Sequence, residues 1–316
     1  MFQHITHRWQ PFLRIIISSV LFLIFGVLFG KNLFLRIILT TDHTPISAPT
    51  EACQLVNWPP ASDPGNIEIT GYDVGENKLT SVMTGRKEGW VPIKSYLIIH
   101  GEKLILVDPG PDRRRAGFLK DWTYNGIINH LVNPIRLNKD DQIGNQTKES
   151  GDVSLIVLNH AHSDHTGNLD LFPKAETIIN QVEYDHAIHE GPRGGDNPAE
   201  LDRAAKLQTV SLADAPPIAT FAHGLDLLGD QTVYLVDLPG HTPGQTGVLV
   251  RTKTKTWLLS SDALARAKDL EEMYAMPGQS DRKEFLASLH QIDCFQQLVP
   301  SAVILPGHDE PIGPRQ

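Results

Sequence analysis

The stretch Asn159-His160-Ala161-His162-Ser163-Asp164-His165 decides the fold of this chain, and it directly follows the apolar segment Val153–Leu158. Three imidazoles and one carboxylate fall within six residues of one another. These are side chains that zinc prefers in catalytic sites. Buried His and Asp each need a polar partner, so packing alone gives no reason to cluster them. The stretch therefore predicts a metal site at the end of the apolar segment.

The same arrangement recurs three times later in the chain. An apolar run ends, and a metal-suited side chain follows within one to three residues, at His241, Asp262 and His308. Loops at strand ends are where α/β proteins place their binding groups. Glycine and proline beside these side chains let the backbone turn sharply and approach a ligand closely. We expect the four sites to converge.

Together the four sites provide ligands for two metal ions. The first set is three imidazoles, which leave the fourth position of a zinc ion open: His160, His162 and His241. The second set mixes a carboxylate with imidazoles: Asp164, His165 and His308. Asp262 can bridge the two sets, because a carboxylate has two oxygens. Two metal ions about 3.5–4 Å apart hold a hydroxide and clamp the oxygens of a hydrolytic transition state. We predict two Zn²⁺ per chain, with other divalent metals as substitutes.

Alternation of short apolar runs with helical periodicity predicts an α/β fold of layered sheets. Nine β-branched runs bounded by Gly, Pro, Asp or Asn read as strands, at 67–72, 96–100, 103–107, 153–159, 177–180, 232–238, 248–251, 256–260 and 302–305. Helices are predicted at 113–131, 182–190, 198–207 and 281–298, the last after a capping Asp281.

The amino terminus predicts a membrane anchor. Ile15–Gly30 carries no charge over 16 residues, and Arg14 and Lys31 flank it. Sixteen residues approach the roughly 20 that span a bilayer, and snorkelling of the flanking cations makes up the difference. A cleaved signal peptide is the alternative. The chain is then a single-pass protein whose side of the membrane stays open, since the flanking positive charge is balanced. If the segment is cleaved or exported, the domain is secreted or periplasmic.

The sequence divides the chain into three regions. Residues 1–39 form the anchor or signal segment, residues 40–66 form a linker rich in Pro, Thr and Ser, and residues 67–316 form the hydrolase domain. Cys53 and Cys294 fit neither a zinc spacing nor a disulfide framework. A single bridge between them requires an oxidising compartment, and we predict two buried free thiols instead.

The net charge of the chain restricts the kinds of partner that it can bind. The 316 residues carry a formal net charge of −9, and the one basic cluster is the triplet Arg113-Arg114-Arg115. Such a surface does not attract a polyanion, so we expect no nucleic-acid partner. A small-molecule substrate is expected, while the oligomeric state is left open.

The four motifs, H-x-H-x-D-H, P-G-H-T-P-G, S-D-A and P-G-H, resemble in order and spacing those of the metallo-β-lactamase superfamily. Leu104–Asp112 is similar to the family's second-hairpin strand, which ends in an Asp-x-Gly turn. The resemblance implies a four-layer αβ/βα sandwich, here preceded by an N-terminal transmembrane helix, with a dinuclear site at the edge of the sheets. It assigns the two ligand sets and the bridging Asp262 as above. An Asp at the bridging position points to the hydrolase branches rather than to the zinc β-lactamases that have Cys at the second metal.

Within the superfamily, the chain is most similar to the acyl-homoserine-lactone lactonases. The similarity lies in Asn180–Tyr184, in the P-G-H-T-P-G-Q block and in the predicted helix before His308. Many of those lactonases carry a Tyr three residues after the bridging Asp to hold the substrate carbonyl, and here that residue is Ala265. A thioesterase of glyoxalase-II type, a β-lactamase and a non-catalytic metal-binding protein are the alternatives.

The expected mechanism is attack of a metal-bridging hydroxide on an ester, lactone, thioester or amide carbonyl. Asp164 orients this nucleophile or accepts its proton. Other polar residues near the first motif have simpler interpretations. His186 and His189 are predicted to lie on a solvated helix face, and Tyr184 either contacts the substrate or packs. The glycine-rich stretch 191–197 is a hypothetical flap over the site.

Overall fold

Two β-sheets form the framework of the protein. The computed structural model describes residues 47, 49–61, 67–79, 89–112, 134–138, 140–147, 152–190, 196 and 198–314. All of these belong to the unit Pro45–Gln316. The anchor predicted at Ile15–Gly30 and the helix predicted at 113–131 lie outside the described residues. Within those residues, no helix combines the length and the apolar character that crossing a membrane requires.

Sheet 1 contains the first ligand motif. Its described strands are β1 (Ile67–Lys78), β2 (Trp90–His100), β3 (Lys103–Val107), β4 (Ile135–Arg136), β5 (Leu155–Leu158), β6 (Glu176–Asn180) and β7 (Lys206–Val210). Their order across the sheet is β4-β1-β2-β3-β5-β6-β7. The strands β3, β5, β6 and β7 run parallel, while β2 pairs antiparallel with both β1 and β3. The central strand β5 is a continuous apolar run, as expected of a parallel strand covered on both faces.

Sheet 2 contains the other three ligand positions. Its described strands are β8 (Gly224–Asp226), β9 (Val233–Asp237), β10 (Thr246–Arg251), β11 (Thr256–Ser261) and β12 (Val303–Pro306). The order is β12-β11-β10-β9-β8, and only the β11–β12 pair is parallel among these strands. Every residue of β10 is buried, which places this strand at the centre of sheet 2.

The described helices are α1 (Ile143–Gln146), α2 (Ser163–Thr166), α3 (Gln181–His189), α4 (Pro198–Leu201), α5 (Ala267–Glu271) and α6 (Arg282–Leu298). Two predicted helices correspond to α3 and α6. The third, predicted at 198–207, is wrong beyond α4, because residues 206–210 form the edge strand β7 on β6. Pairing with a neighbouring strand outweighs the helical propensity of this stretch.

Three apolar clusters set the layers of the fold. One lies between the two sheets and combines side chains such as Ile105 and Val157 of sheet 1 with Leu235 and Val248 of sheet 2. A second joins sheet 2 to α6, which presents Phe285 and further apolar residues at helical spacing. A third covers the other face of sheet 1, where α3 contributes Ala187. Helices therefore cover both outer faces, and the predicted two-sheet α/β sandwich is confirmed.

Residues 49–61, here called the strap, pack on the domain although the sequence predicts a linker there. The backbone N–H of Val56 donates to the carbonyl of Ala219 at 2.8 Å. Trp58 packs edge-on against Phe295 of α6, with ring centroids 5.9 Å apart. The guanidinium of Arg251 lies 4.0 Å above the Trp58 ring. A Pro-rich composition predicts an extended segment, and these aromatic and backbone contacts are what hold it against the surface.

The strap is also covalently attached. Cys53 and Cys294 form a disulfide with a Cα–Cα separation of 5.2 Å, within the usual range for such bonds. The prediction of two free thiols is therefore wrong. The sequence does not reveal that the strap folds back onto α6, and only this packing brings together two cysteines 241 residues apart.

Candidate metal centre

The predicted ligands lie at four strand ends. The first ligand loop (residues 159–165) follows β5 of sheet 1, and the second ligand loop (residues 239–244) follows β9 of sheet 2. Asp262 comes directly after β11, and His308 comes two residues after β12. The site therefore lies where the edges of the two sheets meet, as the strand-end pattern predicts.

The first set of predicted ligands forms a tight cluster. The candidate ligand atoms of His160, His162, His241 and Asp262 all lie within 4.8 Å of one another. Nε2 of His241 is 3.0 Å from Nδ1 of His162 and 3.4 Å from Oδ2 of Asp262. Nε2 of His160 lies 3.9 Å from the same carboxylate oxygen. Three imidazole nitrogens thus surround one point.

The second set lies on the other side of Asp262. The candidate ligand atoms of Asp164, His165 and His308 are also within 4.8 Å of one another. Oδ1 of Asp262 is 3.5 Å from Nε2 of His165 and 3.2 Å from Nε2 of His308. The Asp262 carboxylate therefore contacts imidazoles of both sets, and all seven predicted site residues come together.

Unsatisfied buried atoms show that this cluster suits a metal. Nε2 of His160, Nε2 of His165 and Oδ1 of Asp262 are buried and have no hydrogen-bond partner among the described residues. Buried polar atoms without partners are rare, because each costs about 1–3 kcal/mol. A divalent cation held by nitrogen and oxygen ligands would satisfy all three. The donor set therefore fits the two zinc ions that the motifs imply.

The protonation behaviour of the imidazoles agrees with this fit. Burial and neighbouring imidazoles hold the pKa of His160 well below its ordinary value, and they lower the pKa of His241 to about 4. Both rings are therefore neutral near pH 7, as metal ligands must be. Burial alone would lower the pKa of His165, but the carboxylates of Asp164 and Asp108 raise it to about 10. The carboxylates around the second set thus favour a positive charge at His165, and a bound metal ion would supply that charge in place of the proton.

Asp108 is a supporting residue that the ligand motifs do not reveal. Its carboxylate lies 3.0 Å from Nδ1 of His165 and accepts hydrogen bonds from the Ser261 hydroxyl and from the Asn159 backbone N–H. It follows β3 with a φ of 52°, in the left-handed region. In the sequence, the signal for Asp108 is the turn Asp108-Pro109-Gly110 at the end of an apolar strand, which belongs to the Asp-x-Gly part of the family resemblance.

Three further contacts orient ligands from distant segments. Oε1 of Gln279 lies 2.8 Å from Nδ1 of His241. The carbonyl of Pro92 lies 2.8 Å from Nδ1 of His308. The Asn77 amide donates to Oδ2 of Asp164 at 3.1 Å. Such partners fix the tautomer and the direction of a ligand, and no local sequence pattern marks them.

Glu183 is a fully buried carboxylate beside the ligand loops. It belongs to the first turn of α3, after Asn180, whose side chain caps the helix. Oε1 accepts the backbone N–H of Ala161 at 2.8 Å, and Oε2 accepts that of Gly244 at 3.1 Å. Burial, together with the nearby carboxylate of Asp196, raises the pKa of Glu183 to about 7. No ligand motif in the sequence indicates that Glu183 contacts both ligand loops.

Of the other polar residues near the first motif, His186 lies close to the candidate site, His189 lies at the surface, and Tyr184 packs in an apolar cluster. His186 is half-buried and lies 3.6 Å from the buried carboxylate of Asp196, so the solvated-face interpretation is wrong for it. His189 is exposed, as predicted. Tyr184 packs against the apolar cluster on the outer face of sheet 1. Apart from Asp196, the predicted flap at 191–197 lies outside the described residues.

Ala265 is buried and contacts the last ligand loop through its backbone. Its carbonyl accepts the N–H of His308 at 2.9 Å, and its side chain is 2% exposed. The methyl group offers no donor to a substrate carbonyl. The departure from the lactonase pattern therefore lies beside the metal cluster.

The family of this chain is now evident. The sequence signature of the metallo-beta-lactamase superfamily matches residues 89–308, which include every clustered ligand. The chain belongs to the metallo-β-lactamase superfamily, and it is a metal-dependent hydrolase of lactonase-like type. The family predicted from the four motifs is confirmed.

Similar proteins with known activity are lactonases. The N-acyl homoserine lactonase AttM of Rhizobium radiobacter is 33% identical over 234 residues, which cover 69% of this chain and 82% of that protein. The N-acyl homoserine lactonase AiiA of Bacillus thuringiensis subsp. kurstaki is 24% identical over 240 residues, which cover 74% of this chain and 87% of that protein.

Solved structures share the fold. An N-acyl homoserine lactone hydrolase with the product N-hexanoyl-L-homoserine at its catalytic metal centre superposes with a TM-score of 0.62 at 22% identity, over 76% of this chain and 92% of that one. AidC, a dizinc quorum-quenching lactonase, gives a TM-score of 0.55 at 19% identity, over 78% and 89% of the two chains.

Proposed function

We propose that this protein hydrolyses lactones at a dinuclear zinc site, with N-acyl homoserine lactones as the first substrate class to test. The observation that carries the proposal is the Asp262 carboxylate, whose Oδ2 lies near His241 of the first set and whose Oδ1 lies near His165 of the second. The lactonase relatives support the substrate class.

The chemistry divides between the metal ions and the chain. Two zinc ions, when bound, supply an activated water nucleophile and a Lewis acid for carbonyl hydrolysis. Asp164 orients the attacking water or accepts its proton, and Asn77 holds one oxygen of this carboxylate in a fixed direction. Because Ala265 gives no hydroxyl donor, the substrate carbonyl depends on other groups for its polarisation.

The test is a substrate panel on the zinc-loaded full chain. We would compare N-acyl homoserine lactones of increasing acyl length, simple γ-lactones, acyl thioesters and β-lactams, and follow proton release. We expect the lactones to turn over fastest, and an Asp262→Ala variant to be inactive on all of them. Faster turnover of thioesters or β-lactams would replace the lactonase assignment by one of those activities. Bound zinc without turnover on any substrate would favour a non-catalytic metal-binding protein.

We also propose that residues 1–39 anchor the protein and that the hydrolase domain faces an oxidising compartment. The uncharged run Ile15–Gly30 supports the anchor. The Cys53–Cys294 disulfide supports the oxidising side, because such bonds are rare where thiols are kept reduced.

Cell fractionation tests this placement. We expect the full chain to sediment with membranes, a chain starting at residue 47 to stay soluble, and an impermeant protease to reach the domain from outside intact cells. A full chain that remains soluble would contradict the anchor. Protection of the domain from the protease, with Cys53 and Cys294 as free thiols, would contradict the oxidising side.

A further inference from the structure

Glu183 lies between the two loops that hold the three-imidazole set, and its carboxylate accepts backbone N–H groups of both loops. Its Oε1 accepts the N–H of Ala161, between two ligands of the first ligand loop. Its Oε2 accepts the N–H of Gly244, at the end of the second ligand loop. One buried side chain thus joins the loop that follows β5 of sheet 1 to the loop that follows β9 of sheet 2.

Packing of the second ligand loop on α3 supports this connection independently. A Cβ added to Gly244 would lie 2.2 Å from the backbone nitrogen of Glu183, so the loop touches the first turn of the helix directly. The side-chain amide of Asn180, which precedes that turn, donates to the Gly244 carbonyl at 3.0 Å. The loop end is therefore held through both its N–H and its carbonyl.

We propose that Glu183 is a positioning residue for the three-imidazole set, because its carboxylate fixes the separation of the two ligand loops before metal binds. This inference rests on the proposed metal-dependent function. The loops come from different sheets. The N–H of Thr246, just after the second ligand loop, donates to the Asn159 carbonyl at 2.9 Å, and Glu183 adds a second connection at the residue between His160 and His162. Ligands that are already in place lose less conformational entropy on binding a metal, so fixing the loops raises metal affinity.

The test compares zinc affinity in the wild type and in Glu183→Gln. Full-length protein is stripped of metal and titrated with zinc against a chromogenic chelator. Glutamine has the size of glutamate but replaces one acceptor oxygen with an NH₂ group, which cannot accept from either loop. We expect the wild type to bind two zinc ions, and the variant to bind one of them about tenfold or more weakly.

Asp226→Asn is the matched control. The Asp226 carboxylate also accepts backbone N–H groups, from Gly229 and Gln231, but in a turn after β8 that contains no ligand. Both variants are expected to lower the Tm of the metal-free protein, and only Glu183→Gln should weaken zinc binding. A purely structural role would change the Tm alone.

The possible outcomes separate this inference from the proposed function. Equal zinc affinity in Glu183→Gln and wild type, or equal losses in both variants, would overturn the positioning role alone. A wild type that binds no zinc would overturn the metal assignment and the positioning role together. If Glu183→Gln does not fold, hydrogen exchange on the metal-free wild type decides. The amides of Ala161 and Gly244 should then be protected, and rapid exchange at both would overturn the inference.

Discussion

Asp262 can face both ligand sets because the residue beside it has no side chain. A Cβ added to Gly307 would lie 2.3 Å from Oδ1 of Asp262, closer than real contacts allow. The N–H of Gly307 also donates to the Ser261 carbonyl at 3.1 Å, which fixes the two loops against each other. The P-G-H motif therefore needs its glycine for space around the carboxylate as well as for the turn before His308.

Replacing Gly307 by alanine should damage the metal centre. The added methyl group must push the Asp262 carboxylate away. We therefore expect Gly307→Ala to bind zinc with an affinity lower by about tenfold or more, and to retain less than about half of the wild-type zinc content. Zinc content after dialysis measures this. Gly313→Ala is the control, because its Cβ would meet no atom within 4 Å. Wild-type zinc content in Gly307→Ala would show that the carboxylate is not held in place.

Asp164 is both a candidate metal ligand and the proposed proton acceptor, so its role in catalysis is tested at full zinc occupancy. We expect Asp164→Ala, assayed at full zinc occupancy, to lose hydrolysis by about 100-fold or more, because the carboxylate proposed to orient or deprotonate the water is removed. The folded state should persist, and circular dichroism checks this. Asp152→Ala is the control, since Asp152 is exposed. Wild-type turnover by a fully loaded Asp164→Ala protein would make the assignment wrong.

The sequence predicts the candidate ligands but not the residues that orient them, for a physical reason. The candidate ligands occur in local motifs, so short stretches of sequence are enough to identify them. Their partners act across the fold: Asn77 lies 87 residues from Asp164, and Gln279 lies 38 residues from His241. Each partner is an ordinary polar residue in its own segment, and only the packing of the sheets makes it part of the site.

Among the elements, α6 was predicted best because its signals are local. Asp281 accepts the backbone N–H groups of Lys283 and Glu284, as the predicted cap requires. Its own N–H donates to the carbonyl of Gly240 in the second ligand loop. The start of α6 is thereby attached to the loop that carries His241. In contrast, β7 depends on pairing with β6 and β8 on pairing with β9, so short-range patterns did not identify them.

Loss of this cap should destabilise the fold. We expect Asp281→Ala to reduce the free energy of unfolding by about 1 kcal/mol, because two N–H groups at the start of α6 lose their acceptor. Urea denaturation of the zinc-loaded protein measures the change. Asp281→Ser, which keeps an acceptor oxygen, should recover most of the stability. If Asp281→Ala and Asp281→Ser lower the free energy of unfolding equally, the Asp281 carboxylate does not stabilise the protein as a helix cap.

At the scale of the whole molecule, the fold joins distant parts of the chain at two places, the metal centre and the strap. The two-sheet architecture followed from the motifs and the strand pattern. The attachment of the strap could not be predicted from the sequence, because it depends on contacts of Trp58 and Cys53 with α6. Composition alone describes how a free segment behaves, and it carries no information about a surface on which that segment can pack.

The disulfide should contribute measurably to stability. We expect Cys53→Ser to lower the free energy of unfolding by about 2–4 kcal/mol, because the bond restricts the unfolded chain over a long loop. Thermal denaturation with and without reductant measures this. Reductant should lower the Tm of the wild type and leave that of Cys53→Ser unchanged. A wild-type Tm insensitive to complete reduction would contradict this contribution.

The position of the strap also determines how the enzyme can be mounted on a solid support. Strand β10 begins at Thr246, just after the second ligand loop, and ends at Arg251, which lies over Trp58 of the strap. At about 3.4 Å per residue these ends are roughly 17 Å apart. Beads coupled to the strap would therefore hold the domain at the end of β10 that is remote from the metal centre.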